Sequence, residues 1–199
     1  KVLVSLKEQT EDGAHPLLEE RAEGRELVLL VSTDKGLCGG LNTNLFRAVT
    51  DQVSDDAAFV TVGSKGRKAM AKLGKEIIAD FPCKDPVDFA ETKLVSKFII
   101  EKFLEGDFNK VTVAFTNFVN TMTQTPEVET LLPVRPIDLG RDKDYVGMGD
   151  DPQVDLAGSG PGPAGYIFEP TPAHVLDTIV PLYVNYEVYQ MVLESRASE

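Results

Sequence analysis

The sequence predicts an α/β fold: a mainly parallel five-stranded sheet with flanking helices, plus stubs of an antiparallel helical coiled coil from both termini. Three observations predict it. Short apolar runs with strand character alternate with amphipathic segments of helical period, which is the pattern of βα units. The chain has 199 residues and is 42% apolar, which is enough to bury a sizeable core. Narrow apolar stripes at helical spacing lie near both ends.

Five segments are predicted strands because they are short, apolar and rich in β-branched residues. The segment "ELVLLVS" is apolar almost throughout, as expected of a buried strand, whereas "KVTVAFTNFV" alternates. In chain order the predicted strands are 26–32, 57–63, 76–81, 110–119 and 126–134.

Three amphipathic segments between these strands are predicted helices. The first follows the strand at 26–32, and Asn42 or Thr43 is expected to cap its start. The second, 64–74, ends at Gly74, which suits the left-handed position beyond a helix end. The third begins after Asp85-Pro86 and ends at Gly106. The apolar residues expected to face inward are Leu41, Leu45, Phe46, Val49 and Val53 in the first helix, and Phe89, Leu94, Val95, Phe98, Ile99 and Phe103 in the third.

A final helix is predicted to open at Thr171-Pro172, where a cap precedes a proline. Its apolar stripe recurs every three or four residues and resembles one strand of a coiled coil. Pro181 lies inside this pattern and either bends the helix or marks its true start. We expect residues 1–9 to pack antiparallel against 172–199, since both carry apolar stripes. The stripe residues are Leu176, Ile179, Tyr183, Tyr186, Gln190 and Leu193, with Val2, Leu3 and Leu6 at the other end.

The chain divides into four predicted parts. Residues 140–165 are rich in Gly, Pro and Asp, which offer little apolar area to offset the entropy of ordering, so an exposed loop is expected there. The sequence begins without methionine and stops inside a helical pattern, which indicates a piece of a longer protein. The predicted parts are 1–15, the end of an N-terminal helix and a linker; 16–140, the α/β domain; 141–170, the exposed loop and return; and 171–199, the start of a C-terminal helix.

The formal net charge of -12 opposes nucleic-acid binding, because phosphate backbones are held by Lys and Arg. Cys38 and Cys83 lie far apart and have no metal-binding spacing, so reduced thiols in a cytosol-like compartment are expected. No apolar run approaches the roughly 20 residues of a membrane span, and no signal segment opens the chain. We therefore expect no nucleic-acid partner and no direct membrane insertion.

The stretch "STDKGLCGGLN", residues 32–42, joins the first predicted strand to the helix after it. A glycine-rich turn into a helix can bind phosphate, but the glycines of 36–40 match neither GxGxxG nor GxxxxGK spacing. Cys38 near a helix start is a candidate nucleophile that needs a base, and His15 and His174 are both remote in sequence. Two other interpretations remain. The stretch is either a protruding turn that packs against a partner protein, with Leu37 and Cys38 at its tip, or a tight turn without a partner.

The segment "STDKGLCGGLNTNLFRAV" resembles an internal segment of the gamma subunit of rotary F-type ATP synthases, where Ser-x-Asp-Arg/Lys-Gly-Leu-Cys-Gly-Gly-Leu-Asn joins a strand to a helix. The segments "HPLLEER", "ETLLPV", "YIFEPTP" and "VYQMVLESRASE" support the resemblance over nearly the whole chain. In that family an α/β domain is inserted between two long helices that form the antiparallel coiled coil of the rotor shaft. This chain resembles the inserted domain with two stubs of the shaft.

The resemblance implies a non-catalytic central-stalk rotor subunit, which couples rotation of a proton- or sodium-translocating membrane ring to conformational change in catalytic subunits. It implies no catalytic residue, no cofactor and no metal. The implied partners are the alpha, beta, epsilon and c-ring subunits, and the implied location is peripheral, on the cytoplasmic face of the bacterial cell membrane. The two nearby cysteines of the chloroplast thiol switch have no counterpart here, so redox control of that kind is not expected.

The resemblance also implies which residues face a partner. The loop at 36–40 would face the lower part of a beta subunit, and 141–169 would lie towards the base of the stalk. The competing hypothesis is a thiol- or nucleotide-dependent α/β enzyme that uses the Cys38 loop. The implied interface residues are Gly36, Leu37, Cys38, Gly39, Gly40, Tyr166, Phe168 and Glu169.

Overall fold

The computed structural model describes residues 15–83, 85–135 and 172–199, with side chains from residue 176 onward in the last range. These ranges contain strands and helices within three residues of most predicted bounds. In chain order the elements are β1 (Arg25–Val31), α1 (Leu41–Gln52), β2 (Ala58–Val62), α2 (Ser64–Lys72), β3 (Glu76–Phe81), α3 (Phe89–Leu104), β4 (Phe108–Asn120), β5 (Thr123–Leu132) and α4 (Pro172–Ser198).

The five strands form one sheet in the order β3-β2-β1-β4-β5. β1 pairs in parallel with β2 and with β4, and β2 pairs in parallel with β3. The last strand, β5, returns antiparallel to β4. The prediction of a mainly parallel five-stranded sheet with flanking helices is therefore confirmed.

The central strand β1 is buried on both faces because helices cover both sides of the sheet. Leu27, Leu29 and Val31 point to the face that α3 and α4 cover, and they belong to one apolar core. Val28 and Leu30 point to the opposite face, where a second core includes residues of α1 and α2. Side chains alternate along a strand, so one apolar run supplies both cores.

Helix α3 buries a narrower face than its apolar residues predict. Val95, Ile99 and Phe103 are buried at helical spacing against the sheet. Phe89 and Leu94 were expected to face inward, and this was wrong: they are 43% and 60% exposed. Successive helical residues are rotated by about 100°, so Leu94 cannot share the buried face of Val95, its neighbour.

Helix α4 packs on the sheet through a stripe different from the one predicted. Tyr186, a member of the predicted stripe, is 49% exposed, and of that stripe only Leu176 belongs to the fully buried core. The buried apolar positions recur mostly every four residues and are chiefly valine, whose compact side chains permit close packing on β4 and α3. They are Leu176, Val180, Val184, Val188, Met191 and Val192.

Pro181 lies inside α4, which begins at Pro172, so it does not mark the helix start. Gly74 and Gly106 adopt the left-handed backbone expected of helix ends, with φ of 69° and 94°. Within the described ranges, no helix is long and apolar enough to cross a membrane. The predicted packing of residues 1–9, the loop at 141–165 and the domain boundaries near 140 and 170 lie outside the described residues.

A buried carboxylate, Glu26, ties three segments together at the start of β1. It accepts hydrogen bonds from the Thr112 hydroxyl and from the Ser54 amide at 3.2 Å, and Lys110 Nζ lies 3.1 Å away. Burial by itself raises the pKa of Glu26, but these hydrogen bonds and the lysine charge outweigh it and lower the pKa below its ordinary value. The ionised carboxylate therefore stabilises the junction of β1, β4 and the turn after α1.

Candidate functional site

The glycine loop, residues 32–40, connects β1 to α1 at the carboxyl edge of the sheet. In mainly parallel α/β folds this edge commonly holds the functional loops, because strand-to-helix connections converge there. The loop after β3 and the C-terminal end of α4 meet it at this edge. The fold therefore places the stretch singled out in the sequence on an edge suited to binding.

The base of the glycine loop is anchored to α2. Ser32 Oγ accepts a 2.7 Å hydrogen bond from the Gly66 amide, and Asp34 Oδ1 accepts one of the same length from the Ser64 amide. Thr33 Oγ1 donates to the Lys35 carbonyl at 3.0 Å. The buried Ser32 hydroxyl and the partly buried Asp34 carboxylate thus hold the loop base against α2.

Asn42 does not cap α1 as predicted. The N-cap position is Gly40, which has no side-chain cap, and Thr43 does not serve as a cap either. The Asn42 amide group instead donates to Thr33 Oγ1 at 2.8 Å. Because the Asn42 side chain bonds the loop base, it joins that base to α1 and does not cap the helix.

The tip of the glycine loop is presented to solvent. Leu37 is fully exposed and adopts a positive φ of 66°, which is rare for a residue with a branched side chain. Gly39 has a φ of 56°, and a Cβ placed on it would meet nothing within 4 Å. An anchored base and an exposed tip leave the loop accessible to another macromolecule.

Cys38 is half-buried, and its thiol lies against backbone carbonyls of its own loop. Sγ is 3.5 Å from the Gly36 oxygen and 3.9 Å from the Lys35 oxygen. His15 is engaged elsewhere, since its Nδ1 accepts from the Leu17 amide and its Nε2 lies 3.6 Å from Asp177. Burial lowers the pKa of His15, against the raising effect of Asp177. The structure therefore brings no histidine base of the described side chains to Cys38.

Cys83 lies between β3 and α3 beside an open cavity of about 120 Å³. Burial raises the pKa of its thiol, while the nearby Arg196 opposes that rise. A thiol held in the neutral form is a poor nucleophile. Among the described residues, no three His, Cys, Asp or Glu side chains converge to hold a metal ion.

Sequence reasoning missed a contact between the glycine loop and the end of α4. The Lys35 amide donates to Glu199 Oε1 at 2.9 Å, across 164 positions of sequence. Nearby, the Phe118 amide donates to Glu194 Oε2 at 3.1 Å, which joins the same end of α4 to β4. No local pattern indicates a partner so distant, so the sequence carried no signal for it.

Three of the predicted interface residues, Tyr166, Phe168 and Glu169, lie outside the described residues. The other five form the tip of the glycine loop, where all but the half-buried Cys38 are exposed. Fold and loop together define a class of protein: a mainly parallel α/β domain with a long helix, Pro172–Ser198, packed on it and an anchored loop beside residues 196–199.

Comparison with known proteins identifies the family. The ATP synthase family model matches residues 1–199. The ATP synthase gamma chain of Akkermansia muciniphila is 39% identical over 206 residues, and that of Opitutus terrae is 37% identical over 199; each comparison covers all of this chain. The chain belongs to the ATP synthase family that this model describes. It spans 66% of the length of those two relatives, just under two thirds.

Solved structures share the fold. The central stalk and c-ring structure of the Tetrahymena thermophila mitochondrial ATP synthase contains a chain that matches all of this one over 80% of its own length, with a TM-score of 0.67 at 20% identity. The rotor of the Euglena gracilis mitochondrial ATP synthase matches 98% of this chain over 74% of its own, with a TM-score of 0.58 at 15% identity.

Proposed function

We propose that the protein is the central-stalk rotor subunit of a proton- or sodium-translocating ATP synthase. It couples rotation of the membrane ring to conformational change in catalytic subunits, and it forms and breaks no covalent bonds itself. One observation carries the proposal: the family match extends over the whole chain, and the curated relatives are named ATP synthase gamma chains. On this proposal the protein needs no cofactor of its own.

The packing of α4 on the sheet supports a role in transmitting torque. Val184 and Val188 of α4 share one apolar core with Leu27 and Leu29 of β1. Close-packed interiors deform little, so a turning force on the helix moves the sheet with it. A rotor whose domain slipped on its shaft would lose the coupling between ring and catalytic subunits.

The proposed partners are the alpha and beta subunits around the shaft, the epsilon subunit beside the α/β domain, and the c-ring beneath. The exposed tip, residues 36–40, faces the lower part of a beta subunit, and Tyr166, Phe168 and Glu169 belong to a second contact towards the base of the stalk. Central stalk and c-ring occur together in the Tetrahymena assembly, which supports the last of these partners. The subunit is peripheral, on the cytoplasmic face of the bacterial membrane.

A bulky label on Cys38 tests this role in the assembled complex. Cys83 is first replaced by Ala, so that within residues 1–199 a maleimide label reacts at position 38 alone, and labelling is done before assembly. We expect the label to slow ATP-driven rotation, because a large group on the exposed tip must pass a neighbouring subunit. The isolated chain should hydrolyse no ATP and gain no stability from nucleotide, whereas a true ligand at 100 times its dissociation constant would add about 2.7 kcal/mol.

The matched control carries the label at the opposite edge of the sheet. Leu73 is 55% exposed just after α2, and α2 runs from the carboxyl edge towards the amino edge. Leu73→Cys in a chain with Cys38→Ala and Cys83→Ala therefore places the same label away from the loop. Equal rotation rates for the two labelled complexes would show that the tip meets no partner. Nucleotide-dependent stabilisation would instead favour the enzyme hypothesis.

A further inference from the structure

The glycine loop and the end of α4 are joined by a closed ring of polar contacts. Glu199 accepts from the Lys35 amide through Oε1 and contacts Arg196 through Oε2. Arg196 Nη2 lies 3.5 Å from Asp85 Oδ2, and Lys35 Nζ lies 3.6 Å from the same oxygen. Two cations and two carboxylates thus connect α4, the loop after β1 and the loop after β3.

The two halves of this ring differ in burial. The Glu199 and Arg196 side chains are 4% and 14% exposed, whereas those of Lys35 and Asp85 are 66% and 62% exposed. Solvent weakens the outer pair, so it contributes little. The inner pair is shielded, and removal of Glu199 would leave the Lys35 amide and the Arg196 guanidinium without their buried partner. Glu199 is therefore the member on which the connection depends.

The contact between the Lys35 amide and Glu199 lies where the anchored base of the loop meets its exposed tip. The residues before it are held to α1 and α2 by side-chain hydrogen bonds. The residues after it form the exposed tip, where Gly39 meets nothing nearby. Lys35 is the last anchored residue before the tip, so the direction in which the tip points depends on where Glu199 holds its backbone.

We propose that Glu199 is a positioning residue that locks the glycine loop to the last described turn of α4, so that force on the loop passes directly into that helix. This inference rests on the proposed rotor function and deepens it. The apolar core already joins α4 to the sheet, and the ring adds a second connection at the loop that faces the partner. Loop and helix end then turn as one body.

The test compares Glu199→Ala with Glu199→Gln in the full-length subunit of the assembled complex. Gln keeps an oxygen that accepts from the Lys35 amide but loses the charge that pairs with Arg196. Glu105→Ala is the control, because it removes an exposed carboxylate paired with Lys102. Hydrogen exchange of the peptide 33–40 reports on the loop, and the number of ions pumped per ATP hydrolysed reports on coupling.

We expect the Lys35 amide to exchange about tenfold faster in Glu199→Ala, with a smaller change in Glu199→Gln and none in Glu105→Ala. Ions pumped per ATP should fall by about twofold or more in Glu199→Ala. Unchanged exchange would overturn the inference, and so would faster exchange with full coupling. Failure of the unaltered subunit to rotate in a working complex would overturn the rotor proposal as well, so the two failures are distinguishable.

Discussion

Gly63 provides the sharpest test of how the carboxyl edge is built. It precedes α2 with a φ of 93°, and a Cβ at this position would lie 2.2 Å from the Ser32 carbonyl oxygen. That oxygen is backbone, so the contact cannot be relieved by turning a flexible side chain. Gly63→Ala must therefore separate the end of β1 from the end of β2, where the Ser32 amide donates to Val62 at 2.8 Å.

Gly74 supplies the matched control, because it also has a positive φ, 69°, but a Cβ there would meet nothing within 4 Å. Gly74→Ala should cost only the left-handed penalty, about 1–2 kcal/mol. Gly63→Ala adds the displacement of backbone and the strain on buried hydrogen bonds, for a total of about 3–5 kcal/mol. The difference between the variants, about 2 kcal/mol, combines the close approach with the greater backbone strain at Gly63, whose ψ of 140° lies outside the left-handed helical region.

Urea unfolding of the two variants, followed by circular dichroism, measures this difference. With a denaturant slope near 2 kcal/mol per molar, the midpoint of Gly63→Ala should fall about 1 M below that of Gly74→Ala. Equal midpoints at equal slopes would refute the reasoning, since they would mean that the strand ends separate at no cost.

Three further predictions concern single side chains. Because the folded-state pKa of Glu26 lies below its ordinary value of 4.5, its stabilising contribution is present above that value and is lost as pH falls through the lowered pKa. Glu26→Gln should therefore flatten the decline in the free energy of unfolding from about pH 5 downward, measured by urea titrations at several pH values. In α3, Ile99→Ala should cost about 3 kcal/mol and Leu94→Ala about 1 kcal/mol or less, and equal losses in chemical denaturation would contradict the burial difference. Cys38→Ala should change the free energy of unfolding by under about 1 kcal/mol, and a larger loss would show that the thiol supports the fold.

The elements around β1 could be predicted because their signals are local. An apolar run bounded by turn residues predicts a buried strand, and glycine beyond a helix predicts its left-handed end. The structure confirms both, at β1 and at Gly74. The glycine loop was located by the same kind of signal, a change from strand pattern to helix pattern across a short glycine-rich stretch.

The buried faces of the long helices could not be predicted as well. Apolar residues surround much of α3 and α4, so period alone does not say which of them meet the sheet. Phe89 was expected inside, but it packs edge-on against Tyr189 at 5.2 Å between ring centres and remains partly exposed. Which side chains of a helix become buried depends on the surfaces that pack against it. Those surfaces exist only once the elements have assembled.

By itself the sequence determined the secondary structure, the α/β class and, through the segment around Cys38, the family, because each depends on residues close together in the chain. Only the tertiary structure decided what the glycine loop is attached to. Lys35 and Glu199 meet across 164 positions, after the sheet order has placed the end of β1 beside the end of α4. A contact of that separation depends on chain topology and packing, which no local pattern of residues encodes.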